Sequence, residues 1–556
     1  MFSTLLAFTL SVLPAVQAAE ETGPLTEEQL LSASAVVGLE FSAAELQQML
    51  PGVIENLRSY QAMRERELDN SVPPALIFTP LAQGVAAKPW LPAGGGQHVL
   101  GEDSDQKSWP SIAKTLGMVP GKADLLFADI PTLAALIRSR QVSCRELTEL
   151  YLERLAAIDQ VLHCVITLTP ERARAQADAL DAELAEGHWR GPLHGIPWGA
   201  KDLLAVKGYP TTWGAKPFAE QVIDLDATVV QRLDAAGAVL IAKLSLGALA
   251  WGDVWFGETT KNPWNPNQGS SGSSAGPASA TAAGGVVFAI GSETLGSIMS
   301  PSERCGNSSL RPTFGRISRH GAMSLSWSMD KLGPLCRTVG DAALVFDALL
   351  GPDGQDVSVI DQPYAIPGDV DVSGWRVGYV DAHFDGPGGE RCRPVLDQLT
   401  ALGVELVPIE LPSQPVNDLL FVLSAEAAAA FDTITRDGRD EQLVRQVEQA
   451  WPNVFRTSRL IPAVEYLQAQ RLRTLLCRDM AESMGELTAI VHPTHAGQLL
   501  SISNLTGHPA FIAPAGFREN GTPFGVTFTG QLFDEARLAA LAGAWQRSTE
   551  HHLKRP

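Results

Sequence analysis

The chain has 556 residues and 45% of them are hydrophobic, enough to bury a large core. Its formal charge of −20 repels phosphate backbones, which speaks against nucleic-acid binding. Glycine and proline usage is ordinary and excludes a fibrous repeat or a disordered chain.

Residues 1–18, MFSTLLAFTLSVLPAVQA, are apolar, uncharged and end in small side chains. Val16-Gln17-Ala18 before Ala19 fits a leader cleavage site, which predicts a secreted or periplasmic protein. The competing reading is a buried N-terminal helix, since the segment has no Lys or Arg. No later run reaches the ~18 apolar residues of a membrane-spanning helix. Residues 19–123 form an N-terminal helical segment and an irregular arm. Helices are predicted within 26–70, one of them opened by a capping box of Ser42 and Glu45. Residues 71–124 hold Pro73, Pro74, Pro80 and Gly94-Gly95-Gly96, and read as an arm crossing the main domain or as a flexible linker.

A regular pattern occupies 124–548. Ser143 and Glu146 form a second capping box, and Leu147, Leu150, Tyr151, Leu155 and Ile158 then recur at helical spacing. Short apolar runs at 238–241, 286–290, 377–380 and 489–491 read as strands between helices, which implies an α/β domain with a sheet covered on both faces. The six cysteines are scattered, without CxxC or His/Cys clusters, and read as buried free thiols rather than a disulfide or metal framework.

Three segments carry chemistry. The first is Leu193-His194-Gly195-Ile196-Pro197-Trp198-Gly199-Ala200-Lys201-Asp202, in which a lysine ends an apolar run. A buried ammonium sheds its proton and becomes a base. Taken by itself, the segment favours a plainer reading, a lysine that reaches solvent or pairs with Asp202. The second is Gly269-Ser270-Ser271-Gly272-Ser273-Ser274-Ala275-Gly276, followed by an Ala-rich helix whose first turn tolerates Pro277. A Gly/Ser linker is the alternative, but a linker would not run into a helix and then a strand. The third is Gly291-Ser292-Glu293-Thr294-Leu295-Gly296-Ser297-Ile298, a loop leaving the carboxyl end of the strand 286–290, where α/β sheets place their sites. Its backbone N–H groups can form an anion nest. Taken alone, a serine such as Ser297 is more commonly a helix N-cap.

Together the segments resemble the amidase signature family, whose members carry an HGIP…KD lysine, a GGSSGG-type loop and a DTGGSI loop. The likeness extends through NPWNP at 262–266, RPTFGRISRHG at 311–321, DKLGPLCRTVGDAALVFDALLG at 330–351, HPT at 492–494, GHPA at 507–510 and PAGF at 514–517. It implies an α/β/α sandwich around a large mixed sheet, and hydrolysis of a small-molecule amide without metal or cofactor. In the family the first serine of the pair lies 24 positions before the nucleophile, which selects Ser273 over Ser270. Ser297 is then the nucleophile, Ser273 the bridging serine after a cis peptide bond, Lys201 the base and Ser274 a supporting group. The backbone N–H groups of Thr294, Leu295, Gly296 and Ser297 would line the oxyanion hole. Leu295, Glu293 and Met299 stand where the family usually has Gly, Asp and Arg, and Leu295 is expected to restrict the loop. Residues 370–480 are the least family-like and are expected to shape the pocket.

Rival readings are an α/β-hydrolase esterase with Ser274 in a G-x-S-x-G elbow, a subunit of a tRNA-dependent amidotransferase, and a non-catalytic binding protein of the same fold. The elbow needs a hydrophobic strand before it, and NPWNPNQGSS reads as no strand. The leader and the net charge oppose the amidotransferase. The sequence carries no signal of oligomeric state.

Overall fold

The computed structural model describes residues 25–65, 68–81, 87–91 and 120–556. The leader expected at 1–18 lies outside them. The chain divides into two units: the described residues up to Leu68 with Leu460–Pro462, and Asp69–Arg459 with Ala463–Pro556. In the first, the helices Glu27–Val36 and Ala43–Arg64 each open on a capping box, Thr26 with Gln29 and Ser42 with Glu45. These boxes satisfy N–H groups that a helix start leaves without partners.

The second unit is built on one sheet. Its strands are β1 (Val165–Leu168), β2 (Pro197–Lys201), β3 (Val239–Leu244), β4 (Phe288–Glu293), β5 (Ser308–Arg311), β6 (Lys331–Cys336), β7 (Arg376–Tyr379), β8 (Glu405–Pro408), β9 (Ala489–Pro493), β10 (Ala510–Phe517) and β11 (Pro523–Gly530). Across the 11-stranded sheet they run β1-β3-β2-β4-β6-β5-β10-β11-β9-β7-β8. β2 is parallel to both β3 and β4. From β4 through β6, β5, β10 and β11 to β9 the neighbours are antiparallel, and β9, β7 and β8 are parallel again. Every residue of β2 to β6 is buried, as a sheet flanked by helices on both faces requires. The helix Cys144–Leu162 starts at the Ser143–Glu146 box. The helix Ala275–Ala282 is buried throughout and lies so near its neighbours that a Cβ on Gly276 would come within 2.5 Å of the Cys164 carbonyl.

The apolar runs become β3, β4, β7 and β9, with one instructive shift. β4 starts later than expected and continues through Gly291, Ser292 and Glu293, because these pair with Gly333, Leu332 and Lys331 of β6. A correction concerns 262–271, read as free of strand. Lys261–Asn262 and Asn265–Gly269 pair as a small separate hairpin. Asn262 Oδ1 accepts the Trp264 N–H at 3.0 Å and closes the turn, a side-chain device that a hydrophobic pattern does not register. The hairpin is partly exposed and outside the main sheet, so it is not the strand an esterase elbow needs. All six cysteines are buried and free. No helix among the described residues is long and apolar enough to cross a membrane.

Candidate active site

Lys201 is the last residue of β2 and is fully buried. Its Nζ lies 2.8 Å from Ser273 Oγ, 2.9 Å from Ser292 Oγ and 3.0 Å from Ser274 Oγ. Burial drives its pKa well below the ordinary lysine value, against the charges of Asp330 and Glu293, which favour the cation. Its hydrogen-bond partners are hydroxyls and a carbonyl rather than a carboxylate, an environment that favours the neutral amine. Pairing with Asp202 does not occur. Successive strand residues face opposite sides, and Asp202 instead holds Lys243 at 2.7 Å and accepts from Thr212 N–H at 2.8 Å.

The peptide bond Gly272–Ser273 is cis, at the place the resemblance implied. A Cβ on Gly272 would stand 1.8 Å from the Gly252 carbonyl oxygen, so only glycine fits there. Ser274 leads into the helix Ala275–Ala282, and its backbone N–H donates to the Ser297 carbonyl at 3.1 Å, which ties the two serine loops together. Its hydroxyl is committed: it contacts Lys201, donates to the Ser292 carbonyl at 3.1 Å and accepts the Ser292 N–H at 3.2 Å. A Cβ on Gly291, one step past the Ala200–Ile290 pair, would come within 2.7 Å of Ser274 Oγ, so this glycine keeps room for the serine beside Lys201. Ser292 stands in the third segment, read there as loop and given no role, and the structure sets its hydroxyl against Lys201. Its signal, a strand continuing through Gly-Ser-Glu, is invisible to an apolar pattern.

Ser297 follows in the loop 294–297 and is half-buried, with no hydrogen-bond partner for its hydroxyl among the described residues. The N–H groups of Leu295, Gly296 and Ser297 likewise donate to no acceptor among the described residues. The loop is shaped from below by Glu293, fully buried, which accepts the Ile298 and Met299 N–H groups at 2.8 and 2.9 Å, Arg311 at 2.7 Å and Asn504 at 2.8 Å. Burial pushes this carboxyl up, yet Arg311 and the backbone donors outweigh it and hold its pKa at about 2. The left-handed residue of the loop is Gly296, φ 83, and not Leu295, so a leucine there brings no backbone strain. Met299 packs in an apolar cluster with Ala278, Cys305 and Ile512, which explains an uncharged side chain at that position. Thr294 Oγ1 donates to Asp330 Oδ1 at 2.6 Å. From the 370–480 stretch, Glu426 accepts both Ser326 Oγ and Ser328 Oγ at 2.7 Å and Arg473 donates to Ser328 O at 2.9 Å, which anchors the segment leading to Asp330.

The model of the family described as Amidase matches residues 146–502. A curated relative from Chloroflexus aurantiacus, the A-subunit of its glutamyl-tRNA(Gln) amidotransferase, is 34% identical over 473 residues, covering 76% of this chain and 96% of its own. Among solved structures, the native peptide amidase from Stenotrophomonas maltophilia superposes with a TM-score of 0.68 at 28% identity, over 76% of this chain and 97% of its own. An amidase family protein from Bacillus anthracis gives 0.70 at 25% identity, over 79% and 95%.

Proposed function

The chain belongs to the amidase family and hydrolyses amide C–N bonds, and from that premise we propose that it works through an acyl-enzyme on Ser297. The observation that carries this reading is the buried Lys201 amine 2.8 Å from the Ser273 hydroxyl. Ser297 Oγ attacks the carbonyl carbon as its proton passes to Ser273 Oγ, which gives its own to neutral Lys201. The oxyanion forms against the free N–H groups of the 294–297 loop, where one such donor is typically worth about 2.7–4 kcal/mol. Ser273 then protonates the leaving nitrogen and recovers its proton from Lys201, the C–N bond breaks, and the amine departs. Water attacks the acyl-enzyme along the reverse path and releases the acid. The substrate is a small-molecule amide, with esters turned over as a side reaction because their leaving group is easier to expel.

The test is a hydrolysis panel of anilides, peptide amides, fatty amides and carbamates, with a serine-reactive probe. Ser297→Ala should abolish turnover and labelling, while Ser274→Ala should still be labelled. Labelling lost only with Ser274→Ala would install the esterase reading in its place. The 34% identity to one component of an amidotransferase favours one second reading, action as a subunit of such a complex. Full turnover by the purified chain alone would refute it. Export follows from the leader-like residues 1–18, and the mature protein should begin at Ala19 by mass spectrometry; an intact Met1 in the cytoplasmic fraction would refute it.

A further inference from the structure

Ahead of the family-matched region, residues 69–80 run across the large unit. A turn opens this strap: Asp69 Oδ1 accepts the Ser71 N–H at 2.9 Å and the Asp69 carbonyl accepts the Val72 N–H at 3.0 Å. The turn presents Asn70, whose amide meets both backbone groups of one residue, donating to Ser324 O at 2.9 Å and accepting from Ser324 N–H at 2.7 Å. Further along, Phe78 lies edge-on to Phe314 at 5.2 Å, with the Arg473 guanidinium 3.7 Å above its ring. Arg473 donates to Ser328 Oγ at 2.8 Å. The strap therefore braces the segment 324–328 at both ends, directly through Asn70 and through Arg473 by way of Phe78.

What that segment carries gives the bracing a consequence. Asp330 Oδ2 accepts the Leu325 and Ser326 N–H groups at 2.8 and 2.9 Å, and its other oxygen takes the Thr294 hydroxyl. A hydrogen-bonded path thus runs from Asn70 through Ser324 and its two successors to Asp330 and Thr294. Two cavities meet at this path. One lies under the strap against Phe78 and Trp327, the other against Ser292 and Thr294, and Arg319, Ala322 and Ser324 are common to both. Ser324 sits in the partition between the strap side and the active-site side.

We infer that Asn70 is a positioning residue for amide hydrolysis, holding the 324–330 segment so that Asp330 fixes Thr294 and with it the oxyanion loop. The inference rests on the reading of Thr294 to Ser297 as that loop. Removing the amide frees both backbone groups of Ser324 and lets the partition drift, and misplacement by about 1 Å at a reacting centre costs up to ~100-fold in rate.

The test is a double-mutant cycle on the full chain, with kcat and KM measured for one anilide. Asn70→Ala should lower kcat roughly 10-fold with KM little changed. Thr294→Val removes the hydroxyl that Asp330 holds, so adding Asn70→Ala to it should cost almost nothing more, because the path is already cut. A merely structural role would leave the two losses additive, and additivity overturns the inference, as does an unchanged kcat in Asn70→Ala. If Asn70→Ala fails to fold, Asn70→Asp keeps the acceptor for the Ser324 N–H and replaces the donor by a carboxylate oxygen that the Ser324 carbonyl repels. It should lower kcat with the same non-additivity, and additive behaviour there has the same overturning force. Ser297→Ala separates the two readings: turnover surviving that change sinks the oxyanion assignment itself, whereas Ser297-dependent turnover with additive losses sinks only the role of Asn70.

Discussion

Two lysines on adjacent parallel strands are buried to the same extent and have opposite fates. Lys243 in β3 stands 2.7 Å from the Asp202 carboxylate and also donates to Thr211 Oγ1 at 2.6 Å. Lys201, at the end of β2, meets only hydroxyls and a carbonyl. Burial lowers the pKa of both, but for Lys243 the Asp202 charge pulls back toward the cation at hydrogen-bond distance. The first is a structural ion pair, costly to assemble and costlier to break. The second has no carboxylate at hydrogen-bond distance, and a neutral amine beside hydroxyls can move a proton. What separates a brace from a base is the partner, not the burial.

The largest test of this contrast is Lys201→Met. Turnover should fall about 10,000-fold or more, as when one member of a relay that acts as a unit is removed. Stability should move by less than about 2 kcal/mol, since the loss is that of partners for neutral hydroxyls. Lys243→Met should do the reverse. It strands a buried carboxylate and should cost about 3–5 kcal/mol in denaturant unfolding, with kcat of the folded fraction near wild type. If both variants lose turnover and stability alike, the contrast is broken. The pH profile sharpens it. In the proposed relay Lys201 acts as the neutral amine, so kcat/KM should hold on descending from alkaline pH and fall only when Lys201 gains its proton, well below the ordinary lysine range. An acid limb near pH 10 would mean a lysine that keeps its charge.

Much of this site was legible beforehand because its residues sit in motifs whose spacing survives as sequence. Three short segments hold Lys201, Ser273 and Ser297 in order, and the family resemblance they carry implied the cis bond found before Ser273. What escaped belongs to pairing across the chain. Ser292 reaches Lys201 because β4 runs two residues past Gly291 against β6, which polar residues conceal. The concern over Leu295 dissolved for a similar reason: the left-handed turn falls one residue later, at Gly296, and dihedral angles are not written in residue types. The sequence leaves Lys201 free to pair with Asp202, whereas in the fold Asp202 is engaged by Lys243, 41 positions away.

The smallest effect distinguishes charge from neutrality at the amine directly. Ser292 Oγ is one of the hydroxyls against Lys201, and Ser292→Ala removes it while leaving the backbone bonds to Ser274 intact. If the amine is neutral in the resting protein, a single neutral hydrogen bond is lost, worth about 0.5–1.5 kcal/mol. If it is an ammonium, the lost bond is charge-assisted and worth about 1.5–3 kcal/mol. Denaturant unfolding at neutral pH should return the smaller figure. The same change removes an acceptor that favours the charged form, so Lys201 should be harder to protonate and the acid limb of kcat/KM should move to lower pH. A limb moving to higher pH would mean that Ser292 donates to the amine instead, and that the lone pair of Lys201 is engaged before any substrate arrives.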